Sequence, residues 1–143
     1  MENNLYIDTN IFIDLLDSTR PSYKQTLALV KDSLESAKIL YINSDTVTNA
    51  FYILSKLRRG KETELMLMMK KVVMLFEVVP IDDKDIMYAF DLCMDTNLEY
   101  KDYEDAVQYV CAKKIEADLI VTNDKKFVSL DIELIHTKGL DCE

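Results

Sequence analysis

The chain has 143 residues, of which 49% are hydrophobic, and a formal net charge of −9 at pH 7. This length suits one domain with one hydrophobic core, and the apolar fraction argues against disorder. The negative charge argues against a general basic nucleic-acid binder. No apolar run approaches the roughly 20 residues that a membrane span needs, so no membrane partner is expected.

The number and spacing of the cysteines bear on whether the protein belongs to a reducing or an oxidising compartment. Cys93, Cys111 and Cys142 are odd in number and lack the spacing of a metal site. Cys93 and Cys111 lie in helix-like apolar patterns, where core thiols are expected. The N-terminus shows no basic stretch followed by an apolar one, so no signal peptide is expected. These features predict a protein of the reducing cytoplasm.

Short apolar runs alternate along the chain with segments of helical periodicity. Only two glycines and two prolines interrupt the chain, which favours long helices. In chain order, the predicted elements are a strand at 5–7, helices at 9–16 and 22–37, a strand at 39–42, a helix at 44–59 capped by Ser44 or Asp45, a helix at 62–75, a strand at 76–81, a helix at 82–95, a helix at 103–116 capped by Asp102, a strand at 119–122 and a weak strand at 132–135.

Strands that alternate with helices of this length predict a parallel sheet with helices on both faces. If the first strand is central, right-handed crossovers place the second and third strands on one side of it and the fourth and fifth on the other. The topological switch then falls between the first and fourth strands, and Asp8 and Asp124 follow those two strands. Ligands of open α/β sheets bind outside the carboxyl ends of the strands at such a switch.

Aspartates gathered at this edge, in a chain with one histidine, favour a hard cation such as Mg²⁺ or Mn²⁺. Each also has an ordinary alternative. Asp8 can cap the helix that follows it, and Asp124 lies in a turn. Asp102 and Asp105 have the spacing of an acidic capping box. Three unrelated caps need not converge on one crevice, however, and converging carboxylates repel one another unless a cation neutralises them.

The charge is unevenly distributed. The segment 51–75 contains six basic and two acidic residues and so carries +4, which leaves −13 for the rest of the chain. A positive patch beside an acidic cleft can hold the backbone of a polyanion, and the part from Lys56 to Lys61 can contact RNA phosphates. The ordinary alternative is that these charges form the solvated faces of two helices.

Other site types have little support in the sequence. The chain has neither a Gly-rich phosphate loop nor a G-x-G-x-x-G motif, which argues against P-loop and Rossmann nucleotide binding. No Asp-x-Asp pair follows the first strand, which disfavours a Mg²⁺-dependent phosphatase of similar topology. His136, the one histidine, has no cysteine or serine motif nearby that would indicate a zinc site or a catalytic triad.

Three segments together resemble the PIN-domain family of metal-dependent ribonucleases: Tyr6-Ile-Asp-Thr-Asn10, Asp102-Tyr-Glu-Asp-Ala106, and Ile120-Val-Thr-Asn-Asp124 with Phe127 following. The resemblance spans essentially residues 1–143. It implies a single α/β nuclease domain whose five-stranded parallel sheet has the order 3-2-1-4-5, flanked by helices on both faces. It also implies hydrolysis of RNA, as in VapC-type toxins of toxin–antitoxin pairs, with RNA as substrate and a small antitoxin as partner. A homodimer is left open.

The same resemblance assigns roles to residues. Asp8, Asp105 and Asp124 correspond to carboxylates that bind Mg²⁺ or Mn²⁺, and Asp102 to an accessory ligand. The family usually has a glutamate in the helix after the second strand, where this chain has Asn49. An amide brings no charge, so cation binding is expected to be weaker, and the alternative function is a PIN-like module with weak or no catalysis that binds RNA or protein. Flanking polar residues can orient water or phosphate, or only close turns: Thr9, Asn10, Thr122 and Asn123.

Overall fold

The computed structural model describes residues 3–137, and Cys142 lies outside them. One parallel sheet contains all five strands that these residues form, in the order β3-β2-β1-β4-β5. The predicted order 3-2-1-4-5 is therefore confirmed. The strands are β1 (Asn4–Ile7), β2 (Ile39–Asn43), β3 (Glu77–Val79), β4 (Leu119–Val121) and β5 (Glu133–Ile135).

The helices agree with the predicted ones and mostly end earlier. They are α1 (Thr9–Leu16), α2 (Tyr23–Glu35), α3 (Ser44–Leu57), α4 (Glu62–Val73), α5 (Asp83–Met94) and α6 (Tyr103–Lys114). Gly60 follows α3 with a φ of +82°, a conformation that glycine adopts readily. Between residues 3 and 137, no helix has both the length and the apolar character of a membrane span.

The cap of α3 differs from the prediction. Asn43 is the N-cap residue, and its Oδ1 accepts a hydrogen bond from the Thr46 backbone N–H at 2.8 Å. Ser44 and Asp45 are the first two residues of the helix instead. The strand β2 therefore runs directly into α3, and the start of α3 lies at the carboxyl edge of the sheet.

Two apolar layers cover the sheet, one on each face. Side chains of successive strand residues point to opposite faces, so Leu5 and Ile7 pack into one layer and Tyr6 into the other. Helices α1 to α4 contribute to the first layer, and α5 and α6 contribute to the second. Because α1 and α3 start where β1 and β2 end, their N-termini also lie at the carboxyl edge, where the field of a helix favours anions.

Candidate active site

Asp8 directly follows β1, and its side chain is almost fully buried, with 3% exposed. It is the N-cap residue of α1, but its side chain makes no capping hydrogen bond. Instead, Gln108 Nε2 donates to Asp8 Oδ1 at 2.8 Å and Thr122 Oγ1 donates to Asp8 Oδ2 at 2.7 Å. Burial raises the pKa of Asp8, and these two neutral donors partly oppose that shift. The capping alternative therefore does not explain this carboxylate.

A buried polar network extends from Asp8 across the sheet. Gln108 Oε1 accepts a hydrogen bond from the Thr9 backbone N–H at 3.0 Å. The amide of Gln108, on α6, therefore contacts both the Asp8 side chain and the backbone where α1 begins. Asn43 Nδ2 donates to the Tyr6 hydroxyl at 2.7 Å. Because satisfied buried polar groups fix side-chain positions, this network holds the Asp8 carboxylate in one orientation.

Asp105 lies half-buried in the first turn of α6, which begins after its N-cap residue, Asp102. Asp102 Oδ1 accepts hydrogen bonds from the backbone N–H groups of Glu104, at 2.8 Å, and Asp105, at 3.4 Å. Within the described residues, the Asp105 carboxylate makes no reciprocal bond to Asp102, so the predicted acidic capping box is only half formed. The side chain of Asp105 is thus not used by the cap.

The electrostatic surroundings of Asp105 are unusual for a surface carboxylate. Burial, followed by the charges of four other carboxylates, raises its pKa to about 7; those carboxylates belong to Asp102, Asp8, Asp124 and Glu104. In the part of the chain from 3 to 137, no lysine or arginine nitrogen forms an ion pair within 4 Å of Asp8, Asp105 or Asp124. Uncompensated negative charge therefore collects at this point.

Asp124 follows β4 and is coupled to Asp8 through Thr122. Thr122 Oγ1 donates to Asp8 and accepts a hydrogen bond from the Asp124 backbone N–H at 3.1 Å. Asp124 Oδ1 accepts from the Lys126 backbone N–H at 2.8 Å, as the turn alternative predicts. One oxygen of Asp124 thus closes the turn, while the same side chain lines the cleft that also contains Asp105.

The other flanking residues mostly have structural roles. Thr9 is buried, with its Oγ1 3.2 Å from the Thr46 Oγ1. Asn123 uses its side-chain amide on Thr137, accepting from the Thr137 backbone N–H at 3.0 Å and donating to its hydroxyl at 2.8 Å. Asn10 is exposed and lines a small depression beside Asp124, so of these residues it is the one whose side chain is accessible to a ligand from solvent.

Asn49 lies in α3, and its side chain reaches across to α6. Asn49 Nδ2 donates a hydrogen bond to Glu104 Oε2 at 2.6 Å. Both residues line a cavity of about 250 Å³ that Asp45 and Tyr103 also border. The structure therefore places Asn49 near the acidic group, but as a partner of a glutamate that the sequence did not single out.

A cleft of about 800 Å³ opens over Asp105 and Asp124. Three exposed lysines line it: Lys101, Lys125 and Lys126. In the basic segment 51–75, Arg58 is placed differently, because its Nη2 donates to the Leu16 carbonyl at 3.3 Å, at the last residue of α1. At 1.5 Å per residue, that end of α1 is about 12 Å from its start beside Asp8. The positive charges next to the carboxylates thus belong to the cleft lysines.

The donor set suits a hard divalent cation, because it consists of carboxylate oxygens that pair with no side-chain cation of the described residues. The carboxylates are not yet a closed ligand shell: between residues 3 and 137, no three acidic, histidine or cysteine side chains converge closely enough to hold a metal ion. Burial raises the pKa of Asp105 most, and the charges of the neighbouring carboxylates add to that shift, so these groups repel one another. Asp8, Asp105 and Asp124 would hold a cation at the carboxyl ends of β1 and β4, where its charge would relieve this repulsion.

Sequence reasoning missed two residues, Gln108 and Glu104. Gln108 is the one strongly polar residue in the buried run from Ala106 to Ala112, and it lies three residues after Asp105, on the same helix face. That spacing was a usable signal. Glu104 had no such signal, since an acidic residue in a first helical turn is ordinarily explained by the helix dipole.

Comparison with known proteins agrees with this geometry. Residues 5–133 match the PIN domain family. The chain is 34% identical over 139 residues to Ribonuclease VapC1 of Aquifex aeolicus (strain VF5), a match that covers 97% of this chain and 93% of that one. The chain therefore belongs to the PIN domain family.

Solved structures share the fold at low sequence identity. VapBC2 from Rickettsia felis, bound to a DNA fragment from its promoter, has a TM-score of 0.69 at 20% identity, covering 93% of this chain and 98% of that one. FitAcB from Neisseria gonorrhoeae has a TM-score of 0.68 at 18% identity, covering 94% of this chain and 98% of that one.

Proposed function

We propose that this protein is a metal-dependent ribonuclease that hydrolyses RNA phosphodiester bonds and acts as the toxin of a toxin–antitoxin pair. One observation carries the proposal: Asp8, Asp105 and Asp124 collect at the switch point of the sheet, and among residues 3–137 no lysine or arginine side chain pairs with them. Burial and the charges of the neighbouring carboxylates raise the pKa of Asp105 to about 7. The 34% identity to a protein named a ribonuclease supports the reaction class.

The carboxylates of Asp8, Asp105 and Asp124 hold the cation, which is Mg²⁺ or Mn²⁺, and Asp102 acts as an accessory group. When bound, such an ion lowers the pKa of a water molecule and stabilises negative charge on phosphate oxygens. Gln108 and Thr122 orient Asp8 through its two oxygens. No protein nucleophile is required, which agrees with the absence of a catalytic serine or cysteine motif from the sequence.

The cleft lysines bind the RNA backbone. Lys101, Lys125 and Lys126 are exposed on the cleft that contains Asp105 and Asp124, so a phosphate bound by them lies beside the carboxylates. Phosphate contacts of this kind give sequence-independent affinity that weakens as salt concentration rises. Residues 1–143 act as one nuclease domain in this proposal.

A small antitoxin protein is the proposed partner, and homodimerisation is compatible with the proposal. The named complexes of the structural neighbours support a protein partner. Among the residues that the structure describes, Cys93 and Cys111 form no disulfide, which supports a reducing cytoplasm as the setting. A short reading frame for a DNA-binding protein directly upstream of the gene would support the antitoxin.

The test is cleavage of single-stranded RNA by purified protein in Mn²⁺, in Mg²⁺ and in EDTA, with Asp8→Asn purified in parallel to exclude a contaminating nuclease. We expect cleavage by the native chain with either ion and none in EDTA. Cleavage that continues undiminished in EDTA would rule out the metal mechanism. RNA binding without cleavage in any ion would instead favour the non-catalytic binding module.

A further inference from the structure

Glu104 holds a carboxylate in a place where its helix does not need one. The cap of α6 uses the Glu104 backbone N–H, which donates to Asp102 Oδ1, and leaves the Glu104 side chain free. That side chain is half-buried and turns towards α3, where it accepts the 2.6 Å hydrogen bond from Asn49. A carboxylate that only complemented the helix dipole would be expected to remain solvated.

The face of α6 that carries Glu104 is directed towards Asp8. Gln108 lies four residues after Glu104, and residues with this spacing share one side of a helix. Gln108 contacts both Asp8 and the Thr9 backbone N–H. Glu104 therefore lies one helical turn above a side chain that is in direct contact with Asp8.

The charges agree with this placement. Glu104 precedes Asp105 in the chain and borders the same small cavity as Asp45, and among residues 3–137 no lysine or arginine nitrogen lies within 4 Å of its carboxylate. The donor from Asn49 thus stabilises a charged carboxylate next to other carboxylates. This arrangement is unfavourable until a cation is present.

We propose that Glu104 supplies a further carboxylate to the metal centre and that Asn49 is its positioning residue. The inference rests on the proposed function, because it extends the same site by one ligand. It also explains how Asn49 can stand where the family usually has a glutamate. The missing negative charge is supplied by Glu104 of α6, whose carboxylate contacts the end of the Asn49 side chain.

The 2.6 Å contact allows a nearly isosteric exchange. Asn49→Asp with Glu104→Gln keeps both side-chain shapes and reverses the hydrogen bond, so that the charge moves by one hydrogen-bond length from α6 to α3. Glu104→Gln alone removes the charge and keeps the shape. Glu64→Gln, on an exposed position of α4, removes one negative charge elsewhere and serves as the matched control.

The experiment measures Mn²⁺ affinity by calorimetric titration of the native chain, Asp8→Asn, Glu104→Gln, the double exchange and Glu64→Gln, at 0.1 and 0.5 M KCl. We expect Glu104→Gln to weaken binding about tenfold or more, as removal of groups around a bound metal typically does. The double exchange should recover most of that loss, and Glu64→Gln should match the native chain. The loss in Glu104→Gln should persist at 0.5 M KCl, because a ligand is screened far less than a distant charge.

The outcomes separate this inference from the proposed function. If Asp8→Asn binds Mn²⁺ as tightly as the native chain, the proposed site is wrong. If Asp8→Asn loses binding while Glu104→Gln retains it, the site stands and the role of Glu104 is overturned. If the loss in Glu104→Gln disappears at 0.5 M KCl, or if the double exchange recovers nothing, Glu104 is not a ligand exchangeable with residue 49, which also overturns the inference.

Discussion

Two helices of this protein start with the same acidic pattern and have opposite surroundings. Helix α5 starts with Asp82-Asp-Lys-Asp85 and α6 with Asp102-Tyr-Glu-Asp105. At α5 the capping box is complete: Asp82 Oδ1 accepts from the Asp85 backbone N–H, and Asp85 Oδ2 accepts from the Asp82 backbone N–H, both at 3.0 Å. At α6 only the first half of the box forms.

The neighbours of the two N3 carboxylates explain the difference. Lys114 Nζ donates to Asp85 Oδ2 at 2.8 Å, so the charge of Asp85 is compensated within the fold. Asp105 faces other carboxylates instead, and burial together with their charges raises its pKa to about 7. The same local pattern thus gives a structural cap in one helix and, in the other, a carboxylate that we propose binds a cation. Tertiary placement, not the motif, separates the two roles.

The largest expected effect is on activity. Asp105→Asn should reduce RNA cleavage by about 100-fold or more, because a charged ligand is lost, whereas Asp85→Asn should leave the rate per folded molecule within about threefold. Initial rates in Mn²⁺, normalised to folded protein, measure both. Full activity in Asp105→Asn would remove the distinction between the two helix starts.

Asp105→Asn, which should reduce activity, should increase the stability of the fold, and Asp85→Asn should decrease it. In the metal-free protein, Asp105→Asn removes a half-buried charge and its repulsion from the neighbouring carboxylates, so it should stabilise the fold by about 1–2 kcal/mol. This figure is discounted because solvent screens the exposed part of the group. Asp85→Asn weakens the bonds to Asp82 and Lys114 and should destabilise the fold by about 1–3 kcal/mol. Urea unfolding in EDTA would measure both free energies. Destabilisation by both variants would show that Asp105 is a structural cap as well.

The pH dependence of stability follows from the raised pKa of Asp105. Between the usual aspartate pKa of about 4 and the folded-state pKa of about 7, the folded protein binds more protons than the unfolded chain. Asp105 should therefore lower the free energy of unfolding progressively as pH rises through this window. In EDTA at pH 5, 6 and 7, the free energy of unfolding of the native chain should be lower than that of Asp105→Asn by a margin that grows with pH. A constant difference would contradict the assignment.

The smallest expected effect is that of Asp102→Asn. Asparagine is nearly as good an N-cap residue as aspartate, so α6 should keep its start and the fold its stability. Loss of an accessory charge should reduce cleavage by about tenfold at most, well short of Asp105→Asn. Rates of the two variants measured side by side test the order. Equal and complete loss would make Asp102 a direct ligand.

The sequence, together with its resemblance to a known family, was sufficient for the strand order, and local signals were sufficient to place Asp8 and Asp124 at the carboxyl edge of the sheet. Short apolar runs identify β1 and β4, and an aspartate after each lies at the carboxyl edge whatever the details of packing. The bond from Asn49 to Glu104 joins residues 55 positions apart. It depends on how α3 and α6 are rotated against each other, which periodicity alone does not determine.

The same limit applies to the positive charges. The run of basic residues in 51–75 is conspicuous in the sequence, yet Arg58 lies at the far end of α1 from Asp8. Lys101, Lys125 and Lys126 are inconspicuous in the sequence and line the cleft, because two loops that are distant in the chain meet there. For Arg58, the cluster of basic residues in the sequence therefore did not indicate proximity to the carboxylates.

The most direct test of the central claim compares the thermal stability gained on adding Mn²⁺ for the native chain, Asp105→Asn and Asp85→Asn. A ligand at 100 times its Kd stabilises a folded protein by about 2.7 kcal/mol. All three proteins are given Mn²⁺ at about 100 times the Kd of the native chain. This should raise the Tm of the native chain and of Asp85→Asn by several degrees, and the Tm of Asp105→Asn by little or nothing. An equal rise in all three proteins, or none in the native chain, would contradict the account.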